Sequence, residues 1–407
     1  MHNNICIKFT EKKYFLILFF IFLIFNEAKK LNFERTLLRF INHNKRNIII
    51  NGQQACINSV VKYIDLISNG NISYIHYDYE INKPKITFIA TVFNKEKYLT
   101  QLIVSIQNQM LEEFEIIFID DCSSDKSIKI INKFLKIDKR IKLIKNKKNK
   151  GTLYSRSQGA LHSKGEYVIF IDSDDLILQK GLFNSYNYIK LNNLSMVQFN
   201  AIFKRKESLS LSIRYYKYRK IIRQPYLSYI FFYNENTQKG DELNTALWDK
   251  LLSRNLAIKT INFIGEKYYK EIIKIENDVI LLFSLFQMAD SYQYINEIGY
   301  FYIRNNNDSI TNTWTNLKNA DSIIHGIFTN IKFFYEKTGN TYLDKYFCLF
   351  KLQQAFKRYI ICFVKSHKQY RFIKNVFQLL LNSIYISDND KIILSNIEIT
   401  IINLMFS

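Results

Sequence analysis

The chain has 407 residues, and 57 Lys and Arg against 36 Asp and Glu leave a formal net charge of +21. With 48% hydrophobic and 15% aromatic residues it can bury a core, and its length suits two or three units, which excludes collagen-like, fully disordered and disulfide-scaffold proteins. The scarcity of glycine (11) and proline (2) favours long helices and strands over a small, turn-rich β-sandwich.

The five cysteines (Cys6, Cys56, Cys122, Cys348 and Cys362) are odd in number and show no CxxC or Cys/His spacing, so no structural zinc site is expected. A basic excess can serve nucleic acid, an anionic membrane surface or an anionic substrate. Lys, Asn, Ile and Tyr crowd the whole chain, including stretches that read as core helices, and no nucleic-acid recognition motif is present. No nucleic-acid partner is therefore expected.

Near the amino terminus, Tyr14 to Phe25 is an unbroken run of 12 apolar or aromatic residues, preceded by Lys8, Lys12 and Lys13 and followed by Lys29 and Lys30. A spanning helix needs about 20 apolar residues and a signal-peptide core about 7 to 15, so residues 1–30 read as a signal peptide or a short signal anchor. A membrane-associated or secretory-pathway-lumen location follows as an expectation, and the Asn-x-Ser sequons at Asn71, Asn193 and Asn307 offer a test of it. Residues 31–84 alternate helical pieces with polar turns and read as a stem or small helical cap ending at Pro84.

From Lys85 the pattern changes to short β-branched runs at 86–92, 114–119, 141–144 and 167–171, separated by helical stretches near 97–109, 125–137 and 151–164. Strand, helix and strand repeated at this spacing predict a parallel sheet with crossover helices. In such sheets ligands bind beyond the carboxyl ends of the strands. Those ends carry Thr91-Val92-Phe93-Asn94 with Glu96, then Asp120-Asp121-Cys122-Ser123-Ser124-Asp125, then Asp172-Ser173-Asp174-Asp175. Carboxylates crowded on one edge repel one another unless a cation or donor groups compensate them. Asp125 precedes a helical run and reads as its cap. Asp172 and Asp174, two apart on an extended segment, project to one side, which suits a hard divalent cation such as Mg²⁺ or Mn²⁺ with diphosphate oxygens completing its shell. A dinucleotide-binding dehydrogenase would need GxGxxG after the first strand, where this chain has Phe93-Asn94-Lys95-Glu96-Lys97-Tyr98.

Four segments in order, 88–99 (FIATVFNKEKYL), 114–127 (FEIIFIDDCSSDKS), 149–160 (NKGTLYSRSQGA) and 165–175 (GEYVIFIDSDD), resemble the family 2 glycosyltransferases of GT-A fold. The likeness is strong over about 85–185 and continues more weakly to about 311. It implies an α/β fold: a GT-A-like, mostly parallel sheet flanked by helices, with the N-terminal apolar segment and a C-terminal helical region outside it. It divides 85–311 into a nucleotide-binding half (85–185) and an acceptor half (186–311), leaving 312–407 as the helical C-terminal region.

The resemblance implies an inverting transfer of a sugar from a nucleotide-diphosphate sugar, with uridine favoured, to a hydroxyl on a glycan, lipid or protein acceptor. Carried over position by position, Thr91, Phe93 and Glu96 would border the nucleotide. Asp121, with Asp120, would hold its base or ribose, and Arg156 would approach the nucleotide or diphosphate. A surface helix charge is the plain alternative for Arg156. Asp172 would meet the ribose and the Mn²⁺ or Mg²⁺ shell, with Asp174 the principal metal ligand.

Further along, Trp248-Asp249-Lys250-Leu251 is similar to a segment between the family's donor and acceptor halves. In Glu276-Asn277-Asp278, Asp278 matches the aspartate of the family's usual Glu-Asp pair and would be the catalytic base, while Asn277 replaces the glutamate. An aspartate in the first turn of an apolar helix can also serve the helix dipole alone. Arg304 and Ser309 would line the donor site. The departure at Asn277 keeps a second reading open, a non-catalytic nucleotide-sugar or glycan-binding relative.

Overall fold

The computed structural model describes residues 81–205, 208–212, 221–224, 246–273 and 277–303, and short helical pieces at 325–326, 329–330, 332–334 and 336–337. The Tyr14–Phe25 run, nearly all of the stem, Glu276, Arg304, Ser309 and most of the C-terminal region lie outside these residues.

The predicted alternation is present. Strand β1 (Ile86–Val92) leads to helix α1 (Leu99–Gln107), β2 (Phe114–Asp120) to α2 (Ser127–Leu135), β3 (Ile141–Lys145) to α3 (Thr152–His162), and β4 (Tyr167–Asp172) follows. β1, β2 and β4 are almost wholly buried, which is why they read as continuous apolar runs rather than alternating ones. They pair in parallel in the order β3-β2-β1-β4, with Thr91 opposite Ile119 on one side and Asp172 on the other. This register brings the ends of β1, β2 and β4 level, with their acidic termini on one edge.

Beyond β4 the sheet is mixed. A two-residue strand β5 (Leu176–Ile177) and helix α4 (Gln179–Leu191) lead to β6 (Met196–Arg205), β7 (Ser208–Ser212) and β8 (Ile222–Arg223). Strand β9 (Lys250–Ser253), helices α5 (Arg254–Ile264), α6 (Glu266–Tyr269) and α7 (Asn277–Met288), and the long β10 (Ser291–Ile303) follow. Among the described residues ten strands make one sheet, ordered β3-β2-β1-β4-β9-β6-β10-β5, with β7 on β6 and β8 on β10. β9 runs antiparallel to both β4 and β6, whereas β10 is parallel to β6. The parallel pairing expected from sequence is thus concentrated in the first four strands, where crossover helices enforce it.

Helices α3, α5 and α7 share a core with the sheet, built from Ile89, Ile119 and Phe170 below and Ile261, Ile280 and Phe283 above. Every residue of α7 from Val279 to Phe286 is buried, so this helix has no solvent face and is held on all sides. Gly159 sets the depth of α3: a β-carbon there would lie 2.3 Å from Ile89 Cγ2 and 2.8 Å from Ile119 Cδ1. Only glycine lets α3 sit this close to β1 and β2. Phe333 and Phe334 close the core from the C-terminal side, with Phe333 edge-on to Tyr268 at 4.8 Å and Phe334 4.5 Å from Phe283.

Candidate active site

The turn after β4 is held from both flanks. Ser173 Oγ donates to the Thr91 carbonyl at the end of β1. On the other flank Asp175, buried, accepts the Tyr300 hydroxyl (2.9 Å) and the Ile303 N–H (2.8 Å) from β10, and the same hydroxyl oxygen accepts the Asp172 N–H at 3.1 Å. Trp248 stacks on Tyr300 at 4.5 Å and fixes the ring that reaches this turn. With Ser173 and Asp175 turned inward, Asp172 and Asp174 are the partly exposed pair of the turn, as their period-two spacing predicts.

Arg156 lies one turn before Gly159 on the face of α3 that meets the sheet, so the close approach at Gly159 carries its side chain to this edge. The guanidinium is buried, its side chain 6% exposed, and it does not behave as a surface charge. Its Nη2 donates to Asp172 Oδ1 at 2.9 Å, and its Nη1 donates to Asp278 Oδ1, 122 positions further on. Asp278 occupies the first turn of α7, where Val279 and Leu282 pack inward and anchor the helix start. Its side chain stays 39% exposed and open to a ligand, and Asn277 Oδ1 stands 3.5 Å from Arg156 Nη1. Asp174 Oδ2 accepts the Lys95 ammonium at 2.6 Å.

Charge balance in this cluster is visible in its ionisation. Burial opposes the Arg156 charge, but Asp278 and Asp172 outweigh it and hold the guanidinium more firmly protonated than usual. Burial works against the Lys95 ammonium too, and is outweighed by Asp174 at contact and Asp172 behind it, leaving its pKa raised. Asp172 is pushed up by burial, pulled back by Arg156, and pushed again by Asp174 and Asp278, with a net rise. A third of its side chain meets solvent, which moderates that rise. Asp175, sealed from water beside Asp174 and Asp172, is raised well above the ordinary aspartate value, and burial beside Asp175 likewise raises Tyr300. Two internal cations therefore leave the edge under-compensated, a setting that attracts further positive charge.

The remaining predicted residues divide by what their side chains already hold. Phe93, at the end of β1, presents a ring 47% exposed, and Thr91 is half-buried beside it. Asp121 Oδ1 accepts from Asn146 Nδ2 and the Lys150 N–H, and Oδ2 from the Gly151 N–H, all at 2.8 Å. This carboxylate clamps the loop before α3 to the end of β2, and Gly151, at φ +85°, supplies the left-handed turn that aims its N–H there. Asp120 is buried and accepts the Ser123 N–H at 3.2 Å. Glu96 Oε2 accepts the Lys126 N–H at 2.8 Å, tying the loop after β1 to the start of α2. Asp125 stands one residue ahead of the N-cap position, which Lys126 occupies, and still holds the helix start: Oδ1 takes the Ser127 N–H and Oδ2 the Glu96 N–H, both at 2.9 Å.

Thus Arg156, Asp172, Asp174 and Asp278 converge, whereas Glu96, Asp120 and Asp121 shape the loops around them. Lys95 and Tyr300 escaped sequence reasoning, and Asp175 reads there as one of the edge carboxylates without a role of its own. Tyr300 left a trace, since Tyr300 and Tyr302, two apart on a strand, share one face.

The family profile described as "Glycosyl transferase family 2" matches residues 87–248, the stretch that contains β1 to β4 and the turn with Asp172 and Asp174. The chain carries a family 2 glycosyltransferase domain. An uncharacterized glycosyltransferase of Haemophilus influenzae is 42% identical over 123 residues, 30% of this chain and 49% of that protein. The cholesterol galactosyltransferase of Borreliella burgdorferi is 29% identical over 228 residues, 54% of this chain and 60% of the other. The chain therefore spans about half the length of these curated relatives. The crystal structure of S. aureus TarS 1–349 with UDP-GlcNAc shares the fold, with a TM-score of 0.52 at 17% identity over 72% of this chain and 81% of that one. The glycosyltransferase domain here thus has the mixed sheet flanked by helices seen in that structure.

Proposed function

We propose that this protein transfers a sugar from a UDP-sugar to an acceptor hydroxyl with inversion, by single displacement. The observation that carries the reading is the link from Asp172 through the buried Arg156 to Asp278, which places a carboxylate on α7 beside the Asp172-x-Asp174 turn. In this reading Asp278, held by Arg156 on one oxygen and partly open to solvent, takes the proton of the acceptor hydroxyl. Arg156 keeps that carboxylate oriented, and the Phe93 ring borders the nucleotide base.

Asp172 and Asp174 suit a divalent cation, Mn²⁺ or Mg²⁺, because they are hard oxygen donors in a cluster short of positive charge. Among the described residues no three His, Cys, Asp or Glu side chains gather as a metal cage, so the remaining ligands would come from the donor's diphosphate. A cation held there would stabilise the negative charge of the leaving diphosphate. The UDP-GlcNAc in the TarS structure supports a uridine donor, and the Borreliella relative's cholesterol acceptor keeps lipids beside glycans and proteins as acceptor classes. Membrane association would rest on the Tyr14–Phe25 run, since among the described residues no helix is long and apolar enough to cross a bilayer.

The test is release of UDP from a panel of UDP-sugars, with and without Mn²⁺, in the presence of acceptor extracts. Asp174→Asn is expected to abolish release, and Asp278→Asn to retain UDP binding while transfer falls by roughly 10² to 10⁴-fold, since an amide cannot accept the proton. Near-normal transfer by Asp278→Asn would remove it from the mechanism.

A further inference from the structure

The backbone that carries Lys95 is locked on both sides. Its own N–H donates to Ser127 Oγ at 2.9 Å, Asn94 N–H to Ser123 Oγ at 3.0 Å, and Glu96 N–H to Asp125 at 2.9 Å, while the Lys95 carbonyl accepts the N–H groups of Tyr98 and Leu99. Asn94 adopts φ 54°, so this is a tight turn stitched to the loop after β2. From that fixed point a flexible side chain reaches 79 positions along the sequence to Asp174, with both partners largely buried. The ammonium itself meets the carboxylate, so the contact is one of charge rather than of packing. The same ammonium is 5.8 Å from the centre of the Tyr98 ring, near enough for a cation–π contact, so it has a second resting place off Asp174.

We propose that Lys95 is the built-in counter-ion of the cation site, neutralising Asp174 in the donor-free protein and giving it up when a divalent cation arrives together with a nucleoside diphosphate. This deepens the metal-assisted reading above and rests on it. Two cations competing for one carboxylate at contact distance repel each other, so an ammonium already on Asp174 weakens capture of a lone divalent ion. The diphosphate brings extra negative charge, tips the balance toward the divalent cation, and gives the displaced ammonium an anionic neighbourhood. Cation and nucleotide thereby become mutually dependent ligands, and each raises the other's affinity by the same factor.

The experiment measures Mn²⁺ affinity of the full-length protein by calorimetry, with Mn²⁺ alone and with saturating UDP. In Lys95→Gln, binding of Mn²⁺ alone should strengthen by about two- to fivefold, the scale of an ion pair near the surface, and the enhancement by UDP should shrink correspondingly. Lys95→Arg, which keeps the charge, should behave as wild type, and adding Asp174→Asn to Lys95→Gln should erase the gain. Equal Mn²⁺ affinity in wild type and Lys95→Gln, with Asp174→Asn still losing it, would overturn the counter-ion role while leaving the metal site standing. A protein that binds no Mn²⁺ even with UDP, and whose UDP affinity falls in Lys95→Gln, would overturn both, with the ammonium itself serving the diphosphate.

Discussion

Replacing Arg156 by Met removes the guanidinium but keeps much of its volume, and its cost can be worked from the contacts. Two hydrogen bonds between charged groups are lost, to Asp172 and Asp278, each worth about 1.5–3 kcal/mol where the partners are dry. Both carboxylates are a third or more exposed and recover water once freed, so the lower end applies and the total is about 3 kcal/mol. For a domain of this size about 2–4 °C is lost per kcal/mol, which predicts a Tm lower by about 6–12 °C. A thermal melt of the full-length protein followed by circular dichroism reads this directly. Asp278→Asn should destabilise the wild-type background, where it breaks a pair, yet be neutral or stabilising in Arg156→Met, where it removes a repulsion. That change of sign is the signature of a shared cation. A Tm for Arg156→Met within about 2 °C of wild type, or Asp278→Asn costing the same in both backgrounds, would refute the reasoning.

Gly159→Ala gains helix propensity of up to about 1 kcal/mol but drives a methyl into Ile89 and Ile119, where overpacking costs about 1–3 kcal/mol. Because Ile89 is β-branched and fully buried, strain should win, with a net loss of about 1–2 kcal/mol in a urea titration and weaker UDP binding as α3 and Arg156 lift from the edge. Asp175 has a folded-state pKa raised above its ordinary value, so its contribution is greatest below that ordinary value and is lost as pH rises through the raised one. Each unit of that rise is worth about 1.4 kcal/mol. Since asparagine does not titrate, the Tm advantage of wild type over Asp175→Asn should shrink as pH rises above the ordinary aspartate value, and a gap that widens instead would contradict the assignment.

Much of this protein is legible in the residues themselves, for reasons that are local. Strands buried on both faces must be nearly continuous apolar runs, which located β1, β2 and β4 nearly to the residue. Two-residue periodicity placed Asp172 and Asp174 on one side of an extended segment, and the helical run after Asp125 pointed to a carboxylate at its start, one residue ahead of the actual cap. What the side chains hold was decided only by the tertiary structure. Glu96, Asp120 and Asp121 each read as nucleotide ligands, yet each engages backbone N–H groups of a loop whose path no local pattern encodes. Lys95 is one basic residue in a strongly basic chain, and only the tight turn after β1 aims it at Asp174. Arg156 meets Asp278 because a glycine brings α3 down onto the sheet while the buried α7 is packed alongside it. Periodicity and burial are properties of a short segment, whereas the partner of a long charged side chain depends on which distant ends of backbone the packed core brings within its reach.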